Sequence, residues 1–273
     1  MNDQITCTNI SAGYGGPLVI RDINLEIPNG KITALIGPNG CGKSTLLKVI
    51  GRQLEAASGV VELGGRPADS MKAREFARRL AFLPQQPTVP EGMAARELIA
   101  FGRYPYTGAF ASLTADDYRV IEEAATATRV GDYLDRPAAQ LSGGQRQRMW
   151  IAMTLAQQSS IMLLDEPTTF LDPAHQLAIL DLLKELNREG RTLVMVVHDM
   201  VHAAKYSDHV VVMKDGRIPR RRPDRTDPGL RSDRPCLRYL GDDGCRPGDR
   251  SETADRVRGE AVIALLGAFV GRF

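Results

Sequence analysis

The sequence predicts an α/β fold built on a mostly parallel sheet. Short runs such as residues 161–164 and 193–197 are continuously apolar, which is typical of strands buried on both faces. Amphipathic helical stretches, among them 174–188, alternate with these strands along the chain. A mostly helical block at about 87–158 interrupts the alternation, and we expect it to form an inserted helical subdomain.

The chain begins with three predicted strands. The segments ITCTNI, LVIRDINLEI and KITALIG alternate or run apolar, and the turn sequences YGG and PNG separate them. Two more short strands are predicted at 60–63 and 80–83. After the helical block, the order strand, helix, strand, short helix and hairpin is predicted, at 160–164, 174–188, 192–197, 200–206 and 210–218. The hairpin is expected to turn at Asp215 and Gly216.

Composition is that of an ordinary globular protein. Of 273 residues, 43% are hydrophobic and 25% are charged, which is enough for a buried core. No apolar segment approaches the roughly 18 to 20 residues of a membrane-spanning helix, and the first residues lack a secretory signal pattern. Four cysteines without metal-ligand spacing favour a reducing compartment. We therefore expect a cytosolic chain that can still dock on a membrane protein.

The net charge of +2 is unevenly distributed. Residues 219–273 contain 12 Arg, no Lys and nine acidic residues, whereas residues 1–218 contain 23 basic and 24 acidic residues. A near-neutral body of this kind lacks the basic footprint of a nucleic-acid-binding protein. A nucleic-acid partner is therefore not expected.

Residues 37–45 fit the phosphate-binding pattern G-x-x-x-x-G-K-[ST] completely, between a predicted strand and a predicted helix. The glycines let backbone N–H groups converge on phosphate oxygens, and the helix N-terminus adds partial positive charge. Lys43 can reach the β- and γ-phosphates, and the Ser44 hydroxyl can ligate Mg²⁺. The residues expected to bind ATP here are Gly37, Pro38, Asn39, Gly40, Cys41, Gly42, Lys43, Ser44 and Thr45.

The segment IMLLDEP places two carboxylates at the end of a buried strand. Asp165 can hold Mg²⁺ through water, and Glu166 would be placed to polarise an attacking water. Two such carboxylates could instead mark a solvated strand end. Combined with the phosphate-binding loop, they predict a P-loop NTPase that uses ATP and Mg²⁺.

A second glycine-rich turn, LSGGQ at residues 141–145, precedes a predicted helix and is a second candidate anion site. Two anion sites for one nucleotide make sense if each serves a different subunit. LSGGQ at this position resembles the signature motif of the ABC ATPases. The resemblance implies a mostly parallel core sheet with an N-terminal antiparallel β-subdomain and an inserted α-helical subdomain. Residues 141–145 are called the signature turn below.

The resemblance also implies roles for single residues. Tyr14 resembles the aromatic residue that stacks on adenine, and Gln85 (or its neighbour Gln86) resembles the glutamine that meets Mg²⁺ and water. His198 resembles the histidine that contacts the γ-phosphate, and Asp172 resembles the aspartate that crosses the dimer interface. The residues implied for catalysis are Glu166, His198, Gln85 and Lys43. Those implied for the metal are Ser44, Gln85 and Asp165. Those implied for ATP binding in trans are Ser142, Gly143, Gly144, Gln145 and Asp172.

The implied mechanism is a sandwich in which two copies clamp ATP between the loop of one and the signature turn of the other. His175, His202 and His209 match no motif, and we expect them to be structural or exposed. Cys41 leaves two interpretations open, a thiol-sensitive ATPase or a small residue tolerated in the loop.

The segment PQQPTVPEGMAARELIAFGRYPYTG resembles the importer ATPases that serve iron–siderophore, haem and cobalamin permeases. This resemblance implies a homodimer, integral-membrane permease subunits and a periplasmic or extracellular substrate-binding protein. It also implies a peripheral location on the cytoplasmic side of the cell (inner) membrane. Iron–siderophore uptake is favoured, with haem or cobalamin as alternatives. A soluble ABC protein acting on ribosomes or nucleic acid is the rival class, and the neutral body and single cassette argue against it.

The resemblance covers residues 1–218, the expected ABC ATPase domain, and then stops. Residues 219–273 are crowded with Arg, Asp and Pro and keep no apolar period. Two interpretations remain open: a disordered or basic lipid-surface appendage, and an out-of-frame reading of a GC-rich gene end. In either case we expect this tail to pack poorly.

Overall fold

The structure is a computed structural model that describes residues 3–107 and 112–219. Nine strands and seven α-helices form within these residues. Their bounds, in chain order, are β1 Ile5–Ala12, β2 Ile20–Ile27, β3 Ile32–Ile36, α1 Lys43–Ile50, β4 Ser58–Leu63, β5 Arg66–Pro67, α2 Ala73–Arg79, β6 Leu80–Leu83, α3 Ala95–Ala100, α4 Ala115–Ala127, α5 Gly143–Ala156, β7 Ile161–Leu164, α6 Pro173–Arg188, β8 Thr192–Val196, α7 Met200–Tyr206 and β9 His209–Val212. Short 3-10 helices lie at Ala68–Ser70, Phe101–Arg103, Gly131–Tyr133 and Ala138–Gln140.

The central sheet has the order β6-β7-β8-β3-β9, and every pair in it is parallel. All residues of β3, β7 and β8 are buried, as expected for continuously apolar strands covered on both faces. Along β7, Met162 and Leu164 enter one core while Ile161 and Leu163 enter the other. The prediction of a mostly parallel core sheet is confirmed.

A second sheet, of order β2-β1-β4-β5, is antiparallel and built from the N-terminal strands. Its apolar residues alternate with exposed polar ones, so one face is buried and the other meets solvent. Helix α1 lies between the two sheets, because Leu46 and Leu47 pack with Ile5 of β1 and Leu163 of β7 in one core. The expected antiparallel β-subdomain is therefore present.

The other face of the parallel sheet is covered by helices. Helices α3, α4 and α5 come between β6 and β7 in the chain and pack on one another. They share a core with α6, to which Leu98, Ile121, Ile151 and Leu180 all belong. The subdomain limits at 87 and 158, and the domain limit at 218, stay predictions. The helical character of the block agrees with the sequence pattern.

The prediction of a hairpin at 210–218 is wrong for its first strand. Strand β9 pairs in parallel with β3, from Thr33 opposite His209 to Ile36 opposite Val212. Its apolar run is used to extend the central sheet, and only one antiparallel bridge, Lys214 to Arg217, closes the turn. The turn itself is as expected, since Asp215 and Gly216 both have left-handed φ angles, of 50° and 73°.

The tail has two open interpretations, a disordered or basic lipid-surface appendage and an out-of-frame gene end. Both concern residues that lie outside the described part of the chain, which ends at residue 219. Within the part of the chain that is described, none of the helices combines the length and the apolar character needed to cross a bilayer.

Candidate nucleotide site

Strand β3 and helix α1 hold the glycine-rich loop between them. Gly37, Gly40 and Gly42 have left-handed φ angles of 145°, 77° and 100°, which L-residues with side chains rarely adopt. A Cβ on Gly37 would lie 2.1 Å from the carbonyl oxygen of Met213, and one on Gly42 would lie 2.5 Å from Ile20. Backbone conformation and close packing therefore both require glycine at these two positions.

Lys43 is the first residue of α1, and its ammonium group folds back over the loop. Nζ donates hydrogen bonds to the carbonyl oxygens of Gly37 (2.8 Å) and Pro38 (2.9 Å). The N-cap Gly42 provides no side-chain acceptor, so the first-turn N–H groups of α1 are left for an anion. A buried cation and these N–H groups together suit a phosphate.

Ser44 and Asp165 meet at the neighbouring edge of the parallel sheet. The Ser44 hydroxyl donates a 2.7 Å hydrogen bond to Oδ1 of Asp165, which is only 2% exposed. Burial raises the pKa of Asp165, and the charge of Glu166 adds to this, against the opposing effect of the Ser44 hydrogen bond. Mg²⁺ prefers oxygen ligands and is usually held by one or two carboxylates together with substrate phosphates. This pair of oxygen donors fits such an ion.

Glu166 is held from three directions. Nε2 of His198 lies 2.7 Å from its Oε1, while Thr169 Oγ1 and Gln85 Nε2 donate to its Oε2 at 2.9 and 2.5 Å. Burial would raise the pKa of Glu166, but the hydrogen bonds from His198 and Thr169 outweigh it and lower that pKa. An oriented, ionised carboxylate of this kind can accept a proton from water.

Two features of this cluster differ from the sequence analysis. Gln85, expected at the metal, donates to Glu166, and within residues 3–107 and 112–219 no hydrogen bond joins it to Ser44 or Asp165. Thr169 was missed, although its spacing three residues after Glu166 could have indicated a turn. The role of Gln85 at Mg²⁺ stays a prediction.

Tyr14 lies beside the helix that follows the loop. Its hydroxyl is 3.5 Å from Thr45 Oγ1, and Nζ of Lys48 is 5.6 Å from the ring centroid. The side chain is 58% exposed, so the ring is available to stack on a base. Sequence reasoning missed Lys48, because only the folded chain brings it to Tyr14.

Cys41 is buried in the loop, with Sγ 3.9 Å from Nζ of Lys43. A buried thiol is poorly placed to meet a reagent. Its environment therefore favours the interpretation of a small residue tolerated in the loop.

The signature turn begins helix α5 with a reciprocal capping pair. Ser142 Oγ accepts from the Gln145 N–H (3.3 Å), and Gln145 Oε1 accepts from the Ser142 N–H (3.0 Å). Asp172 caps α6 by accepting from the N–H of His175 at 3.0 Å. Within the described part of the chain, no hydrogen bond joins Ser142, Gln145 or Asp172 to the loop at 37–45.

His175 is exposed, as expected, with 51% of its side chain accessible to solvent. Its Nδ1 lies 2.6 Å from Oδ2 of Asp172, and its ring packs on Gly144 of the signature turn. His202 is placed edge-on to the Tyr206 ring, at 6.4 Å between centroids, and His209 lies in β9.

The chain is similar in sequence to known proteins. The ABC transporter family matches residues 20–169. The chain is 46% identical over 217 residues to the iron(3+)-hydroxamate import ATP-binding protein FhuC of Bacillus subtilis (strain 168), covering 79% of this chain and 81% of that protein. It is 50% identical over 215 residues to the probable siderophore transport system ATP-binding protein YusV of the same organism, covering 78% of each chain. It is 46% identical over 210 residues to the ferric enterobactin transport ATP-binding protein FepC of Escherichia coli (strain K12), covering 77% of this chain and 78% of that protein.

Solved structures show the same likeness. A bacterial ABC transporter cassette determined as a dimer superposes with a TM-score of 0.70 at 29% identity, covering 79% of this chain and 97% of that chain. A metal-chelate type ABC transporter in an inward-facing conformation gives a TM-score of 0.70 at 28% identity, covering 79% of this chain and 81% of that chain.

Proposed function

The chain belongs to the ABC transporter family, and from this premise we propose that it is the ATP-hydrolysing subunit of an importer for iron–siderophore substrates. ATP hydrolysis is common to the family, so the chain is an ATPase. The iron–siderophore assignment is supported by the relatives, which are named for iron(3+)-hydroxamate, siderophore and ferric enterobactin transport. Separate permease subunits would carry the substrate across the membrane.

The chemistry is carried by the oriented carboxylate of Glu166. The loop glycines and Lys43 hold the phosphates, and the first-turn N–H groups of α1 add to the positive field. Ser44 and Asp165 would hold Mg²⁺, which when bound would supply positive charge to the phosphates. Glu166 then accepts a proton from the attacking water while His198 keeps its carboxylate in place. Thr169 and Gln85 fix the second oxygen of the same carboxylate.

The trans residues act on a second copy in this proposal. Ser142, Gly143, Gly144, Gln145 and Asp172 would complete the site around the nucleotide held by residues 37–45 of the partner. Two observations support this: these residues make no hydrogen bond to the loop of their own copy, in the part of the chain described, and a similar cassette has been solved as a dimer.

A docking surface for the permease is supported by an exposed aromatic group at the start of the helical block. Phe101 and Tyr104 are stacked with their centroids 5.3 Å apart, and Tyr106 is also exposed. Aromatic side chains are enriched where protein partners bind. The system would also contain a substrate-binding protein outside the membrane, with this chain peripheral on the cytoplasmic side.

Reconstitution tests the proposal. The chain is co-expressed with candidate siderophore-permease subunits, placed in proteoliposomes with their substrate-binding protein, and supplied with ATP. Accumulation of radiolabelled ferric siderophore is expected with the wild type and not with Glu166→Gln, which should still bind ATP. Accumulation of cobalamin or haem without uptake of any ferric chelate would contradict the substrate assignment.

A further inference from the structure

Both carboxylate oxygens of Asp172 are taken by one residue, His175, in the first turn of α6. The backbone N–H of His175 donates to Oδ1 at 3.0 Å, and Nδ1 of its ring lies 2.6 Å from Oδ2. The backbone hydrogen bond, followed by the contact with the ring, lowers the pKa of Asp172, so its side chain stays a carboxylate at neutral pH. His175 therefore fixes the rotamer of Asp172, which is the N-cap of α6.

The opposite edge of the same imidazole packs on the signature turn. A Cβ built on Gly144 would lie 2.3 Å from Cδ2 of His175 and 3.1 Å from its Cγ and Nε2. Gly144 has helical backbone within α5 and so does not need glycine for its conformation. The close approach of His175 is therefore a steric reason for glycine at position 144. Leu171 makes a second contact between the same two segments, 3.5 Å from the Cβ position of Gly143.

Helix capping alone does not account for these contacts. Any residue except proline at position 175 would offer the backbone N–H that Asp172 needs as an N-cap. The imidazole is 51% exposed and the Asp172 side chain 61% exposed, and ion pairs this exposed contribute little to stability. The ring instead joins two segments that are 28 residues apart in sequence, Gly144 and Asp172.

We propose that His175 is a positioning residue that holds Asp172 and the signature turn in one fixed arrangement, so that both reach the nucleotide of the partner copy together. The inference rests on the proposed function, because both segments act in trans only if two copies form the site. Loss of the ring would let the two segments move independently, and small displacements of positioning groups are costly in catalysis.

The test compares His175→Ala with Glu185→Ala, which removes an exposed partner of Arg129 from the same helix. For His175→Ala we expect an unchanged unfolding temperature and unchanged ATP affinity of the monomer. Its kcat should fall by about tenfold, and its ATP-driven dimerisation in a Glu166→Gln background should weaken by about tenfold. Glu185→Ala should match the wild type in every measurement.

Gly144 provides a second, independent readout. Gly144→Ala should lose at least about 100-fold in kcat, since its methyl group meets the imidazole and displaces the signature turn. Adding His175→Ala should bring kcat back to about the level of His175→Ala alone, because the methyl group then has room. If the imidazole only filled space, the double variant would instead return to the wild-type rate.

Two results would overturn the inference alone: kcat and dimerisation of His175→Ala equal to the wild type, or a double variant no more active than Gly144→Ala. A wild-type protein that hydrolyses ATP without any ATP-driven dimer would refute the proposed function, and this inference with it.

Discussion

The hydroxyl of Ser44 donates a 2.7 Å hydrogen bond to Oδ1 of Asp165 and so ties the first turn of α1 to the end of β7. The carboxylate is almost completely buried and lies beside the charge of Glu166. Burial first, and this neighbouring charge second, raise the pKa of Asp165 above its usual value. The ionised form is therefore held at a cost in stability, which a bound divalent cation would offset.

Replacing Asp165 with Asn should stabilise the protein and abolish its function. Because the pKa of Asp165 is raised in the folded state, its contribution to stability is present below the unfolded pKa and is lost as pH rises through the folded pKa. At neutral pH the uncharged amide of the Asp165→Asn variant avoids this loss of stability. We expect the free energy of unfolding without nucleotide to rise by about 0.5–2 kcal/mol, and Mg²⁺-dependent ATP hydrolysis to be lost. Urea denaturation and an ATPase assay measure the two effects, and a destabilised variant would show that burial does not dominate.

Glu166→Gln serves as the matched comparison. Hydrogen bonds from His198 and Thr169 lower the pKa of Glu166 in spite of its burial. The stability that this group contributes is therefore present above the unfolded pKa and is lost as pH falls through the lower folded pKa. Glu166→Gln should accordingly reduce stability at neutral pH, the opposite direction to Asp165→Asn.

His198→Ala should change the pH dependence of ATP hydrolysis. Without the histidine, burial of Glu166 is opposed by fewer hydrogen bonds, so the pKa of Glu166 should rise. We expect kcat to fall by at least about 100-fold, and the acid limb of the remaining activity to move toward neutral pH. Steady-state rates between about pH 5 and 9 would show this. His202→Ala, which removes a histidine that contacts only the Tyr206 ring among described aromatic contacts, is the control. An acid limb at the wild-type position would contradict the prediction.

Two glycines of the loop should respond differently to the same substitution. Both Gly37 and Gly40 have left-handed φ angles, but a Cβ on Gly37 would lie 2.1 Å from the Met213 carbonyl oxygen, whereas nothing lies within 4 Å of one on Gly40. Gly40→Ala should cost only the conformational penalty of about 1–2 kcal/mol. Gly37→Ala should cost clearly more, because the backbone of Met213 must also move. Equal losses in urea denaturation would show that conformation alone explains both glycines.

The sequence could predict those parts of the site that depend on local pattern. The loop around Lys43 follows from glycine spacing between a strand and a helix, and Asp165 and Glu166 follow from their place at the end of an apolar run. Parallel strands bring these chain segments to one sheet edge, which explains how Ser44 meets a residue 121 positions away. The parallel sheet itself was predictable because β7 is apolar throughout and β8 is apolar after Thr192.

The remaining features depend on contacts that no local pattern encodes. Lys48 reaches Tyr14, and His175 reaches Gly144, only after distant segments pack together. The hairpin expected after His209 failed for a related reason. An apolar run such as the three valines at 210–212 can pair with the next segment of the chain or with a distant strand. Here it pairs in parallel with β3 of the central sheet.

The buried pair of Arg103 and Asp117 sets up the last prediction. Nε of Arg103 lies 2.9 Å from Oδ1 of Asp117, and the side chains are 3% and 6% exposed. Arg103 also donates to the Ala156 carbonyl oxygen and to Gln158, so it joins three segments of the helical block. Asp116, the preceding residue, instead pairs with Arg119 on the surface.

Asp117→Ala should therefore destabilise the protein by about 3–5 kcal/mol, because it leaves a guanidinium buried without its counter-charge. Asp116→Ala should cost no more than about 1 kcal/mol, since an exposed pair is well solvated. Hydrogen bonds from Thr114 first, and from Arg103, lower the pKa of Asp117, so its contribution is present above the unfolded pKa and lost as pH falls through the folded value. The difference between the two variants in urea denaturation should thus be constant near neutral pH and shrink below about pH 4. Equal costs for the two neighbouring aspartates would mean that the interior charge of Arg103 is solvated by Ala156 and Gln158 alone.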